Sequence, residues 1–274
     1  MNFEYTIKLN RDNEWSMSKH HFHDKYEMLL SLSDAGSLFA GGKLYPLKRG
    51  TLIILKDTVL HKTIANDCDL YERYVVHFSK DVLREISTKK TDLVTAIGSI
   101  TQCVRLAEDE MEYLVSLLEK CRTIDCDNFG CDLKRDIAFL ELVLEVSNFV
   151  GNKDYFAYVD NSGFNRVSPI LEYINGNIAK DMNLDFLAEK FYMSKYHMSR
   201  IFKSVTGFTI MDYIINSRIL LARELLRKGY NVQQAGELSG FNNNAHFIRT
   251  FGKFTGISPG KYMRGYRKGE KGIY

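Results

Sequence analysis

The stretch LAEKFYMSKYHMSRIFKSVTG, residues 187–207, decides the fold of the C-terminal half, because a second stretch follows the same plan 49 residues later. That second stretch is ELSGFNNNAHFIRTFGKFTG, residues 237–256. Three residues recur at this offset: Arg200, Phe202 and Gly207 return as Arg249, Phe251 and Gly256. Each copy contains a short apolar-striped segment, a tight turn and a second amphipathic segment. This order predicts two helix-turn-helix units.

The second segment of the first copy has one apolar and one polar face. Apolar residues at i, i+3, i+4 and i+7 predict the buried face: Met198, Ile201, Phe202 and Val205. Ser194 is the predicted N-cap of this helix, and Gly207 suits a helix end that needs positive φ. The segment Ile210–Arg227 is predicted to be a long helix that joins the two units.

The two halves of the chain carry opposite net charge. From Arg166 onward there are 17 Lys and Arg against 8 Asp and Glu, a net charge of +9. The preceding part is net −6, and the whole chain is +3. Because a polyanion is attracted to the basic part, the asymmetry favours nucleic-acid binding by the C-terminal half. The alternative is a pair of helical hairpins without a DNA partner, since apolar stripes at helical spacing commonly serve only as core.

Residues 26 to about 78 predict short antiparallel strands. The segments YEMLLSL, SLFA, KLYPL, TLIIL and YERYVVHF are separated in part by turns such as Gly41-Gly42, which favours a sandwich or barrel. Five cysteines without a secretory signal predict reduced thiols and a cytoplasmic location. No segment is apolar enough to predict a membrane span.

Two amphipathic helices, joined by a short loop, are predicted within residues 108–150. The second has an apolar stripe: Leu133, Ile137, Leu140 and Leu144. The hairpin can pack on the strands, or it can pair with its twin in a homodimer, which we favour. Residues 153–166 mix Gly, Asn, Asp and Ser with aromatics and are predicted to link two domains, 1–160 and 165–268.

The stretch from Leu184 to Met263 resembles the AraC/XylS family of bacterial transcription regulators. The resemblance rests on LAEKFYMSKYHMSRIFKSVTG, on SRILLARELL and on GFNNNAHFIRTFGKFTGISPGKY. It implies an α+β protein with a cupin-like antiparallel β-barrel and a helical hairpin, followed by an all-α domain of two helix-turn-helix units. It also implies a sequence-specific regulator, not an enzyme, that binds double-stranded DNA, with RNA polymerase as a candidate partner.

The family pattern assigns DNA contacts to positions of this chain. Base contacts fall to Tyr196, Ser199 and Arg200 in the first unit, and to Asn244, Ala245, His246, Arg249 and Thr250 in the second. Phosphate contacts, which position a protein without specifying sequence, fall to Lys195, Lys203 and Lys253. Arg and Asn have the geometry for bidentate contacts with guanine and adenine.

The second unit departs from the family pattern. Its first helix carries Ala235 and Gly236 where the family has an isoleucine–alanine pair. Gly252 interrupts its second helix where the first copy has Lys203. A glycine inside a helix costs roughly 0.5–1 kcal/mol relative to alanine. We therefore expect the second unit to bind DNA less strongly than the unit that carries Arg200.

The segment HHFHDKYE, residues 20–27, and the later His61 resemble the two cupin motifs. Many AraC-type regulators share this pattern on a barrel that holds a small effector or only a structural hydrogen-bond network. We predict an effector pocket with these polar groups: His23, Glu27, Tyr45 and His61. No cofactor and no catalytic residue are predicted. The alternative is a metal-dependent cupin enzyme or metal sensor fused to a DNA-binding domain, with His21, His23, Glu27 and His61 as ligands.

Overall fold

The computed structural model describes residues 3–12, 25–57, 59–65, 70–98, 102–124, 128–151 and 162–268. The chain divides into two compact units, Met1–Val159 and Asp160–Tyr274. Within the described ranges, no helix combines the length and the apolar character needed to cross a bilayer.

Eight strands of the described residues form two antiparallel sheets in the first unit. They are β1 (Tyr5–Asp12), β2 (Tyr26–Ser31), β3 (Gly36–Ala40), β4 (Lys43–Leu47), β5 (Thr51–Leu55), β6 (His61–Ala65), β7 (Tyr71–Phe78) and β8 (Gln102–Arg105). The larger sheet has the order β1-β7-β2-β5-β8 and the smaller has the order β4-β3-β6. The prediction of an α+β chain with antiparallel strands in its N-terminal part is confirmed. Strands β1, β6 and β8 were not predicted. Strands β6 and β8 are short, with five and four residues. Strand β1 has the alternation of a half-buried strand, with Tyr5, Ile7 and Leu9 packed against the core.

The five-stranded sheet has an apolar core on each face. Because side chains alternate along a strand, Met28 and Leu30 pack against helices while Leu29 faces the three-stranded sheet. The residues between the two sheets are here called the inter-sheet core: Leu29, Ala35, Leu38, Ala40, Tyr45, Leu47, Ile53, Leu55, Tyr71 and Cys103. This core is the one in which an effector pocket is predicted.

Four helices among the described residues belong to the first unit: α1 (Lys80–Ile86), α2 (Leu93–Gly98), α3 (Glu108–Thr123) and α4 (Cys131–Gly151). The predicted hairpin is confirmed as α3 and α4. Helix α4 packs on the sheet through Phe139 and Leu142, which are buried. Its predicted apolar stripe lies on the other side, with Leu133 57%, Ile137 61% and Leu144 43% exposed. The hairpin therefore covers the sheet and still presents apolar side chains to solvent.

Seven helices among the described residues form the second unit: α5 (Ser162–Gly176), α6 (Leu184–Lys190), α7 (Lys195–Thr206), α8 (Ile210–Arg227), α9 (Val232–Leu238), α10 (Asn244–Thr255) and α11 (Pro259–Lys268). The predicted joining helix is confirmed as α8. The sequence duplication is also a duplication of packing. The Phe202 and Tyr213 rings meet edge-on at 5.7 Å, and the Phe251 and Tyr262 rings meet edge-on at 5.5 Å.

Residues 162–166, which were expected within the interdomain linker, belong to α5 instead. Helix α5 buries Phe164, Val167, Leu171 and Ile174, which recur at helical spacing. This apolar periodicity extends the helix back through the Gly- and Asn-containing segment. The remainder of the predicted linker, residues 153–161, lies outside the described residues.

Candidate functional site

The first helix-turn-helix unit, within the compact unit Asp160–Tyr274, consists of α6, a tight turn and α7. The Ser194 side chain caps α7 by accepting from the His197 backbone N–H at 3.2 Å, as predicted. Met198 and Phe202 are fully buried, and Gly207 ends the helix at φ 74°. The buried face of α7 thus holds the helix on the rest of the unit and leaves the opposite face outward.

The outward face of α7 carries the residues that were predicted to meet DNA. Lys195, Tyr196, Arg200 and Lys203 are exposed, and Ser199 is half-buried. Lys195 is not a free cation, because its Nζ lies 2.7 Å from Oδ1 of Asp185 on α6. The neighbouring carboxylate offsets part of the attraction of Lys195 for phosphate.

The second unit repeats this plan with α9, a turn and α10. The Asn243 side chain caps α10, and Gly256 ends it at φ 77°. Phe247 and Phe251 form the buried face of the helix. The predicted contact residues lie on the other face: Asn244, Ala245, His246, Arg249 and Lys253 are exposed, and Thr250 is half-buried.

Gly236 in α9 has a packing role that the sequence comparison of the two copies does not reveal. A Cβ at this position would lie 2.8 Å from Cδ1 and 3.1 Å from Cγ of Phe247. The Phe247 ring is fully buried and packs against Phe241 and Phe251 at ring-centre distances of 5.2 and 5.6 Å. The glycine therefore provides space for an aromatic core, and its cost in helix propensity is offset by this contact.

A polar cluster lies at one end of the inter-sheet core, in the compact unit Met1–Val159. Oε2 of Glu27 lies 3.1 Å from Nε2 of His77 and 3.7 Å from Nε2 of His61. Nδ1 of His61 is 3.0 Å from the Val59 carbonyl oxygen. Glu27 and His61 are buried. Two imidazoles around one carboxylate can exchange protons or hold a polar ligand.

The structure brings together only some of the predicted pocket residues. Glu27 and His61 meet in the cluster, and Tyr45 is buried in the inter-sheet core. His21 and His23 lie outside the described residues. Among the residues that the structure describes, no group of three or more His, Cys, Asp or Glu side chains is arranged to hold a metal ion.

His77 and Arg73 are pocket candidates that the sequence did not reveal. Glu27 and His77 are direct partners in the β2–β7 register, so their side chains share one face of the sheet. Arg73 lies four residues before His77 on the same face of β7. Its Cζ is 4.5 Å from the centre of the Tyr71 ring, and its Nη1 is 2.8 Å from Oδ2 of Asp12. Alternation along YERYVVHF places Arg73 and His77 on one face, and only the register shows which residues lie opposite them.

Two family profiles match the chain. A profile described as "AraC-like ligand binding domain" matches residues 5–143, and one described as "Helix-turn-helix domain" matches residues 187–265. The first match alone covers more than half of the chain. The chain belongs to the AraC/XylS family of transcription regulators. As a member, it is a DNA-binding transcription regulator with an N-terminal ligand-binding domain.

Curated relatives of this AraC/XylS-family chain are themselves regulators. The HTH-type transcriptional activator RhaS of Escherichia coli is 23% identical over 269 residues, which is 92% of this chain and 88% of RhaS. YfiF of Bacillus subtilis, an HTH-type transcriptional regulator, is 22% identical and covers 90% of this chain and 79% of YfiF. The bifunctional transcriptional activator and DNA repair enzyme AdaA of Bacillus subtilis is 33% identical over 99 residues. That match spans 36% of this chain and only 47% of AdaA.

Two solved structures of regulators are similar to this chain, with low TM-scores. The DNA-binding domain of AdpA, solved with a target DNA, is 26% identical, covering 39% of this chain and 98% of that chain, with a TM-score of 0.37. ToxT from Vibrio cholerae is 14% identical, covering 95% of this chain and 98% of that chain, with a TM-score of 0.36.

Proposed function

We propose that α7 and α10 enter successive segments of the DNA major groove and read its sequence. One observation carries this proposal: Arg200 and Arg249 occupy equivalent positions on the exposed faces of two duplicated helices. Each arginine lies two residues before a fully buried phenylalanine. The buried ring therefore orients each helix with its arginine outward. The net charge of +9 in this half supports attraction to the phosphates.

Within the two helices, the proposed roles follow the family pattern. The residues proposed to contact bases are Tyr196, Ser199, Arg200, Asn244, Ala245, His246, Arg249 and Thr250. Lys195, Lys203 and Lys253 are proposed to contact phosphates. A bidentate arginine contact contributes about 1–3 kcal/mol of discrimination against the wrong base.

Substitution of the two arginines tests the proposal. We expect Arg200→Ala to abolish specific binding in quantitative gel shifts at one stated salt concentration, and Arg249→Ala to weaken it less. The control is Lys253→Ala, which should weaken binding equally for all DNA sequences. It should also lower, by about one, the slope of the logarithm of the binding constant against the logarithm of salt concentration. Equal losses for the two arginine variants would contradict the asymmetry between the units. No loss in either variant would contradict the DNA-reading role.

We further propose that a small effector binds in the inter-sheet core. Glu27, Tyr45 and His61, together with His23, are the proposed polar groups, and His77 lies beside Glu27 at 3.1 Å. Mass spectrometry of the natively purified protein would identify a retained molecule. Glu27→Gln should reduce its occupancy without unfolding the unit, because the amide keeps the size of the side chain.

The chain is also proposed to act without catalysing a reaction and without a metal. Metal analysis of the purified protein distinguishes this proposal from the metal-dependent alternative. A stoichiometric metal ion that is lost in both His21→Ala and His61→Ala would contradict it and would favour a metal sensor or enzyme. Contact with RNA polymerase and a cytoplasmic location remain proposals for the same protein.

The exposed stripe of α4 is the proposed surface for a homodimer. Leu133, Ile137 and Leu144 follow 4-3-4 spacing with the partly buried Leu140, which is the spacing of a coiled-coil seam. We expect Ile137→Glu to convert a dimer into a monomer in sedimentation at micromolar concentration. Lys89→Glu, a change at an exposed loop position, is the matched control. A dimer that survives Ile137→Glu would contradict this surface.

A further inference from the structure

Tyr192 is the one residue other than glycine that has a positive φ within the described part of the chain, at 52°. It lies in the turn between α6 and α7. Its backbone N–H donates to the Glu189 carbonyl at 3.2 Å, and the Met193 N–H donates to the Ala188 carbonyl at 3.0 Å. These bonds close α6 and require a left-handed residue at this point of the turn.

The second unit builds the same turn with glycine. Gly240 has φ 93°, its N–H donates to the Glu237 carbonyl at 3.0 Å, and the Phe241 N–H donates to the Gly236 carbonyl at 3.0 Å. Glycine adopts positive φ readily, whereas a residue with a Cβ is strained there. A Cβ on Gly240 would also lie 2.9 Å from Cα of Ala179. The two units close their first helices with the same pair of hydrogen bonds, although the second turn is one residue longer. Only the first has room for a side chain at the left-handed position.

Side-chain packing does not offset the strain at Tyr192, because this residue is 98% exposed. Strained residues of this kind concentrate at functional sites. The turn leads directly into α7, whose first two residues, Lys195 and Tyr196, are exposed. In helix-turn-helix docking the second helix enters the major groove with its N-terminal residues, and the first helix crosses the backbone. The connecting turn therefore lies at the edge of the groove.

We infer that Tyr192 contacts the sugar–phosphate backbone of DNA at the first unit, and that the second unit has no equivalent contact. The phenol O–H donates to a phosphate oxygen, and the ring packs on the adjoining deoxyribose. Such a contact adds affinity and fixes the register of the protein without reading bases. The inference rests on the proposed entry of α7 into the major groove.

Two substitutions at Tyr192 test this contact in the full chain. Tyr192→Gly removes the side chain and the strain, and Tyr192→Asn removes the ring but keeps a residue that tolerates positive φ. The probes are a labelled duplex that the wild-type protein selects from a random-sequence pool, and an unrelated duplex of equal length. We expect both variants to bind both duplexes about 3- to 10-fold more weakly, as loss of one hydrogen bond predicts. The melting temperature of Tyr192→Gly should equal or exceed that of the wild type.

The outcomes separate this inference from the proposed function. If both variants bind DNA with the same affinity as the wild-type protein, the Tyr192 contact alone is overturned. Reduced transcription in vitro with unchanged DNA affinity would also overturn it, and would point to a protein partner at the turn. Failure of the wild-type protein to select any duplex would overturn the DNA-reading role of α7, and the Tyr192 contact with it. A change in base preference, the result expected for Tyr196→Ala, would contradict a backbone contact by Tyr192.

Discussion

Gly236→Ala and Gly252→Ala make the same chemical change in one helix-turn-helix unit, and we expect them to change its stability in opposite directions. Both glycines lie inside helices, so the intrinsic preference of a helix for alanine favours each substitution by about 1 kcal/mol. What differs is the space around the new methyl group. At Gly252 the nearest atom is the Ile257 carbonyl oxygen at 3.8 Å, an ordinary contact.

At Gly236 the methyl group would meet the Phe247 ring at 2.8 Å, well inside the 3.5–4.0 Å of a normal carbon–carbon contact. The ring cannot move aside freely, because it is fully buried between Phe241 and Phe251. Overpacking of this kind costs about 1–3 kcal/mol. After the propensity gain, Gly236→Ala should destabilise the unit by about 0–2 kcal/mol, while Gly252→Ala should stabilise it by up to about 1 kcal/mol.

Differential scanning calorimetry of the full-length variants measures this difference, and amide hydrogen exchange assigns it to α9 and α10. A gap of about 1–3 kcal/mol between the variants corresponds to several degrees of melting temperature for a unit of this size. Phe247→Leu should cost less stability in the Gly236→Ala background than on its own, since the smaller side chain relieves the clash. Equal stabilisation by both alanines would refute the packing role of Gly236 and restore the view that this glycine only weakens the second unit.

Three further predictions follow from the structure. Asp185→Asn should release Lys195 for phosphate and raise DNA affinity severalfold at low salt, with the gain disappearing as salt rises in a titration. Asn243→Ala should destabilise the second unit by about 1 kcal/mol in the same calorimetric experiment, because it removes the side chain that caps α10. Burial raises the pKa of the Cys103 and Cys121 thiols to about 12, so iodoacetamide at pH 8 should leave both unmodified until the protein is unfolded, as read by mass spectrometry.

The sequence predicted most of the architecture where local periodicity is strong. Helix α8 and the α3–α4 hairpin follow from apolar residues at helical spacing, and both are present. Strand β1 was not predicted although Tyr5, Ile7 and Leu9 alternate with polar residues, and its place in the sheet depends on pairing with β7. The linker prediction was wrong over residues 162–166, where a buried apolar repeat outweighs the Gly and Asn composition.

The candidate sites divide along the same line. The outward placement of Arg200 and Arg249 could be predicted, since each arginine's position on its helix follows from the buried residues around it. The neighbourhood of Glu27 could not be predicted, because His77 reaches it through strand register across 50 residues of chain. The exposure of the α4 stripe could not be predicted either. Helix α4 is apolar on two sides, and periodicity does not say which side packs on the sheet.

The sequence by itself determined that this protein has a duplicated helix-turn-helix unit in a basic half and antiparallel strands in an acidic half. Spacing, capping residues and charge are local properties, so they can be read along the chain. Only the tertiary structure decided that Gly236 makes space for Phe247, and that the shared turn holds a strained, exposed tyrosine in one copy and a buried glycine in the other. Those features depend on which side chains meet across elements, and close packing settles that only when the whole unit is assembled.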